Sequence, residues 1–189
     1  MNELKDAGML KEWWANPAVV GLMGFALTTM ATGLSVMGYW GGGPTLCLAL
    51  AFGGTAQFIA GVVDLRKGSI FGGSAFMAYG AFWWAVFLKD AVLPLMGVKT
   101  AAMGNAGFAL MWFLFTFAFM IASFRVGKFL AALFVLLWIA FGLLVLLPLG
   151  MVPAKPVGAE IFITGLLAWY IAMAELVNTV YGKNVLPLA

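Results

Sequence analysis

The polar side chains of this sequence are few, and their spacing is what could do chemistry. Phe25, Thr28, Thr32 and Ser35 recur at steps of three, four and three, which puts a ring and three hydroxyls on one face of a helix. Gly53, Gln57, Gly61 and Asp64 form a similar row with an amide and a carboxylate. Thr164, Ala168, Ala172 and Glu175 form another, small residues ending in an acid. Hydroxyls and amides in such rows can pass hydrogen bonds to a solute moving along the face, and an intramembrane carboxylate can carry a proton. Each residue also has a plainer explanation. A lone Ser or Thr bonds its own i−4 carbonyl, Gln57 clamps two helices, and Glu175 or Asp64 pairs with Arg66, Lys67 or Arg125 at the interface. Three hydroxyls on one face shift the balance toward a wet path.

Catalysis finds little to work with. There is no histidine, and Cys47 is the single cysteine, so metal-ligand clusters and the usual imidazole base are missing and neither cofactor nor metal is expected. Cys47 lies in an apolar run and is expected to be a buried free thiol. Asn16-Pro17 has the form of a helix start, Asn as cap and Pro in the first turn. The same dipeptide offers free N–H groups to a small anion.

The elements that must position these groups are membrane helices. Hydrophobic residues make up 65% of the chain and charged residues 9%, with a mean hydropathy of +1.07, far from the composition of a water-soluble domain. A span needs about 20 apolar residues, so six spans use roughly 120 of the 189 and leave no room for a soluble module. Unbroken apolar runs such as Phe129 to Leu149 exclude the alternation of a membrane β-barrel. The fold class is therefore all-α, polytopic. Its expected spans are Pro17 to Tyr39, Pro44 to Val63, Ile70 to Phe87, Gly104 to Ser123, Phe129 to Leu149 and Val157 to Val177. Residues 1–15 form an amphipathic lead, with Met9 and Leu10 paired at i+4 to Trp13 and Trp14. Residues 16–178 hold the membrane domain and 179–189 a tail. The loop from Lys89 to Met103 has room for a re-entrant or interfacial piece. The fifth span would present a greasy lining of Leu133, Leu137 and Phe141.

With six spans, Lys5, Lys11, Arg66, Lys67, Arg125, Lys128 and Lys183 share one side, against Lys89, Lys99 and Lys155 on the other. The excess puts both termini in the cytoplasm and the protein in the cell (inner) membrane. A net charge of +3, spread thinly, gives no reason to expect nucleic acid as a partner.

Several runs carry a family resemblance. Asn16-Pro17-Ala18-Val19-Val20-Gly21-Leu22 resembles the N-P-A-P-L-G-L signature of the acetate uptake transporters, or succinate–acetate permeases. The likeness continues through Gly53-Gly54-Thr55-Ala56-Gln57 to Gly61, through Ser74 to Trp83, and through Ala174-Glu175-Leu176-Val177-Asn178 with the following Gly182 to Pro187. Val19-Val20 replaces the family's Pro-Leu, and Gly68-Ser69-Ile70-Phe71 its usual G-N-T-F. The resemblance implies six spans per protomer, a homohexamer with a pore in every protomer, and acetate and related small carboxylates as cargo. It also implies a narrowest point made by an aromatic, a tyrosine and a leucine, which fall on Phe25, Tyr79 and Leu137 here.

A carboxylate crossing such a ring must shed water, so polar groups are needed on both sides of it. Asn16, Thr28, Thr32, Ser35, Gln57, Thr164, Ala168 and the Tyr79 hydroxyl are the candidates for that pathway, with Glu175 and Asp64 as proton-linked or structural acids. A channel for small neutral solutes such as urea or ammonia would use the same lining. A non-transporting membrane scaffold or sensor is the third reading.

Overall fold

The computed structural model describes residues 14–188. Six helices are long and apolar enough to span a membrane: α1 (Ala18–Val36), α2 (Gly43–Arg66), α3 (Ile70–Leu95), α4 (Ala102–Ser123), α5 (Lys128–Leu149) and α6 (Ala154–Tyr181). The described residues contain no strand. The lead helix expected around Met9 to Trp13 lies outside the described residues. Just after it, the Lys67 ammonium donates to the carbonyls of Trp14 and Ala15, holding the start of the bundle against the α2–α3 turn. Because the helices alternate in direction, one end of the bundle collects Asn16, the end of α2, the start of α3 and the α4–α5 turn. The ends of α1, α3 and α5 collect at the other.

Small residues set which helices touch. Gly33 of α1 faces Gly158 of α6 so closely that a Cβ on either would stand 2.6–2.7 Å from the other's carbonyl oxygen. Gly165 lies equally close to the Met30 backbone, and Ala26, Ala168 and Ala172 are wholly buried. Lipid tails compete well for large apolar side chains, so backbone-on-backbone approach is what holds membrane helices together. α2 and α3 join in the same way, Gly61 against Met77 and Gly80 against Phe58. α4 and α5 use rings instead, as in the Phe113–Trp138 stack at 4.7 Å.

Two stretches depart from regular α-helix. α2 is wound as π-helix over Ala51–Ala56, and Gly24 of α1 sits against the Phe52 carbonyl there. α3 does not stop at Phe87 for an interfacial loop piece; it continues through a second π stretch, Leu88–Val92, to Leu95. No polar break falls between Phe87 and Pro94 except Lys89 and Asp90, which satisfy each other. Cys47, expected to be buried, is exposed on α2, whose outer face also shows Leu50, Ile59 and Val62. Apolar flanks mean burial in water but not in a bilayer, where they also suit a lipid-facing surface.

Candidate functional site

Two cavities enter the bundle from opposite ends. The first, about 250 Å³, lies at the Asn16 end and is bordered by Asn16, Gln57, Asp64, Ser69, Phe76, Tyr79, Leu133 and Phe134. The second, about 400 Å³, lies at the other end and is bordered by Thr29, Thr32, Trp83, Lys89, Asp90, Asn105 and Phe141. Phe25 and Leu137 border both, so these two side chains form the partition.

The partition is held from behind by rings. Tyr79 stands edge-on to Phe25 at 5.8 Å, and around it lie Trp112, Phe115, Phe134 and Phe141 at 5.6–6.5 Å. Phe25, Tyr79 and Leu137 are all at most 5% exposed. The Tyr79 hydroxyl, expected to serve the pathway, is paired with Thr116 Oγ1 at 2.9 Å, which ties it to α4. Thr116 was not singled out by sequence; a threonine amid the aromatic residues of the fourth span was the available signal.

The hydroxyl row on α1 is rotated from expectation. Thr28 is fully buried, donates to the Gly24 carbonyl at 2.8 Å and abuts Gly53 of α2, so it borders neither cavity. Ser35 borders neither cavity. The cavity-facing series is instead Phe25, Thr29, Thr32 and Val36. Steps of three and four are both compatible with one helix face, and the close crossing of α2 at Gly53 takes the Thr28 sector. Thr32 donates to the Thr28 carbonyl, whereas the buried Thr29 Oγ1 has no partner among the described residues.

Gln57 is 1% exposed and borders the first cavity with its Oε1 unpartnered; it clamps no neighbouring helix through that atom. Asp64 borders the same cavity and, among the described residues, makes no ion pair with Arg66, Lys67 or Arg125. Its room is made by Gly72, where any Cβ would collide with the carboxylate. Glu175 likewise has no basic partner among the described residues: its Oε1 accepts from Asn16 Nδ2 at 2.7 Å, while Asn16 Oδ1 accepts the Ala18 N–H at 3.0 Å. Asn16 therefore caps α1 and ties it to α6 at once.

The α6 row turns away from both cavities. Ala168 is wholly buried in the core. Thr164 is fully buried and donates to Glu160 Oε1 at 2.9 Å. Glu160 was passed over by the sequence reading although it lies one turn before Thr164; its second oxygen is buried without a partner. On α5, Leu133 and Leu137 border the first cavity and Leu137 and Phe141 the second, in keeping with the greasy lining expected there. Among the described residues no group of three or more His, Cys, Asp or Glu side chains could hold a metal.

The arrangement is a pair of polar-studded chambers separated by an apolar partition. It can offer hydrogen bonds to a small polar solute on each side and strip it of water between them. Comparison with known proteins gives the arrangement a context. A family model described as the GPR1/FUN34/yaaH family matches residues 6–187. The chain is 33% identical over 184 residues to the succinate-acetate/proton symporter SatP of Escherichia coli K12, covering 92% of this chain and 95% of that protein. It is 35% identical to ammonia transport outward protein 2 of Saccharomyces cerevisiae, covering 85% of this chain and 61% of that one. In three dimensions it is similar to the bacterial acetate channel SatP, with a TM-score of 0.89 and 31% identity over 93% of this chain and 99% of the other.

Proposed function

The chain belongs to the GPR1/FUN34/yaaH family of multi-pass membrane proteins, and from that premise we propose that it carries acetate and related small carboxylates across a membrane. It is a transport protein and not an enzyme. The observation that supports this best is the pair of cavities that share Phe25 and Leu137 as lining, with Tyr79 packed behind Phe25.

Moving a bare carboxylate into an apolar site is costly, so the charged head must keep hydrogen bonds until the last moment. The Gln57 amide offers them on one side of the partition, and Thr29 and the Trp83 indole N–H on the other. At the partition the methyl of acetate meets Phe25 and Leu137, which suits its apolar end, while longer or bulkier acids are excluded by width. Weak contacts on both sides let the solute leave as readily as it enters.

Purified protein in liposomes should give saturable acetate flux, and Phe25→Ala should admit larger acids. Absence of flux from a correctly assembled preparation would overturn the reading. The second reading, passage of ammonia or urea, is favoured by the likeness to the yeast ammonia transport outward protein and by the scarcity of charge along both cavities. Swelling of vesicles in urea set against acetate decides between the two.

For proton linkage Asp64 is the better placed acid, since among the described residues it faces a cavity without a basic partner whereas Glu175 is tied to Asn16. The assembly proposed is a homohexamer with a pathway in each protomer. Exposed apolar residues on α4, among them Leu110, Leu114 and Phe117, supply surface for lipid or for a neighbouring copy. The proposed location is the cell (inner) membrane with the Asn16 end in the cytoplasm, as the distribution of Lys and Arg favours.

A further inference from the structure

We infer that Lys89 makes the second cavity a collecting site for monocarboxylates, with Asp90 holding the ammonium until an incoming carboxylate displaces it. The inference rests on the carboxylate-transport reading above and adds a charged selectivity element outside the partition.

Among the described residues Lys89 is the one Lys or Arg that borders either cavity. A lysine near a helix end ordinarily extends its stem until the ammonium reaches water. Here the side chain is only 20% exposed, and its ammonium is bound to the carboxylate of the next residue. Neighbours in sequence do not face each other on a regular α-helix. They do here, on the stretch of α3 wound as π-helix over Leu88–Val92. Asp90 is the more exposed partner, at 46%, so it can be released to water without moving the lysine.

The groups below Lys89 continue the path. Asn105, at the start of α4, borders the same cavity with a buried Oδ1 that has no partner. Trp83 lies six residues before Lys89 on α3, roughly 9 Å deeper at the rise of a helix. Its Nε1 and the Thr29 Oγ1 are both buried and unpartnered, on side chains at most 4% exposed. A carboxylate received by Lys89 therefore has two neutral donors waiting between it and Phe25. Asp90 stays nearby and repels a second negative charge, so a monocarboxylate is favoured over a dicarboxylate.

The test is initial acetate uptake by the full chain in liposomes, supplied from the side to which the second cavity opens. Lys89→Met keeps the apolar stem and removes the charge. It should raise the half-saturating acetate concentration by about three- to tenfold at low salt, less at high salt, with maximal flux and urea permeation little changed. Asp90→Asn should move the same quantity the other way and improve succinate more than acetate. Wild type without acetate flux overturns the transport reading and this inference with it. Wild-type flux with an unchanged half-saturation in Lys89→Met, or a shift of the same sign in both variants, overturns this inference alone. Should Lys89→Met fail to assemble, Asp90→Asn decides by itself: a lower half-saturating concentration supports the site, and an unchanged or higher one overturns it.

Discussion

The two cavities share a wall and a largely apolar lining, and differ in size and in their polar groups. The first is bordered by Asn16, Gln57 and Asp64, an amide pair and a carboxylate with, among the described residues, no cation. The second is larger and carries Lys89 with Asp90 at its mouth and hydroxyl, indole and amide groups inside. An anion is thus met by a positive charge at one end and by neutral donors beside an acid at the other. Under the proposed transport function, the difference teaches that the second cavity is the better suited to receive an anion, with the apolar partition common to both.

The strongest way to break the comparison is to fill the wall. Leu137→Trp should close the connection and cut acetate flux by at least about a hundredfold, because the larger indole would fill the space between the two cavities that Leu137 borders. Stopped-flow uptake by protein of unchanged oligomeric profile checks it. Phe25→Ala does the reverse and joins the cavities. Butyrate or benzoate uptake, measured against acetate, should then rise by about tenfold or more.

Smaller changes sharpen the contrast between the two ends. Asp64→Asn should leave acetate counterflow intact while removing most of the extra accumulation driven by a pH gradient; unchanged accumulation excludes Asp64 as the proton-linked group. On α1, Thr29→Val should lower acetate flux several-fold by removing a free donor from the second cavity, whereas Thr28→Val, buried against Gly53, should act on thermal stability and leave flux alone. Tyr79→Phe is the mildest. It loses the bond to Thr116, about 1 kcal/mol of stability measured by thermal unfolding, and keeps the ring that backs Phe25.

Much of this was legible in the chain itself. The six spans follow from apolar runs, and their observed bounds lie within a few residues except where α3 runs on to Leu95 and α6 to Tyr181. The resemblance to acetate uptake transporters was carried by motifs such as Asn16-Pro17 and Gly53 to Gly61, and the family membership agrees with it. Less was legible about side-chain partners. Asp64 and Glu175 looked alike as acids near span ends, yet one faces a cavity and the other serves Asn16. Thr164 looked like part of a polar row, and its hydroxyl goes to Glu160.

By itself, then, the sequence determined an all-helical membrane protein with six spans, a few polar residues set in helical rows, and glycines where helices must meet. These are properties of composition and period, which hold along one helix at a time. Tertiary structure alone decided which row faces open space. A helical period defines a face only to within one residue's turn of about 100°, and the neighbour that packs there takes one sector and leaves the next. The approach of α2 at Gly53 consumed Thr28 and freed Thr29. The contact of α1 with α6 through Gly33, Gly158 and Gly165 set the rotation of both helices, and with it the turn of Ala168 into the core.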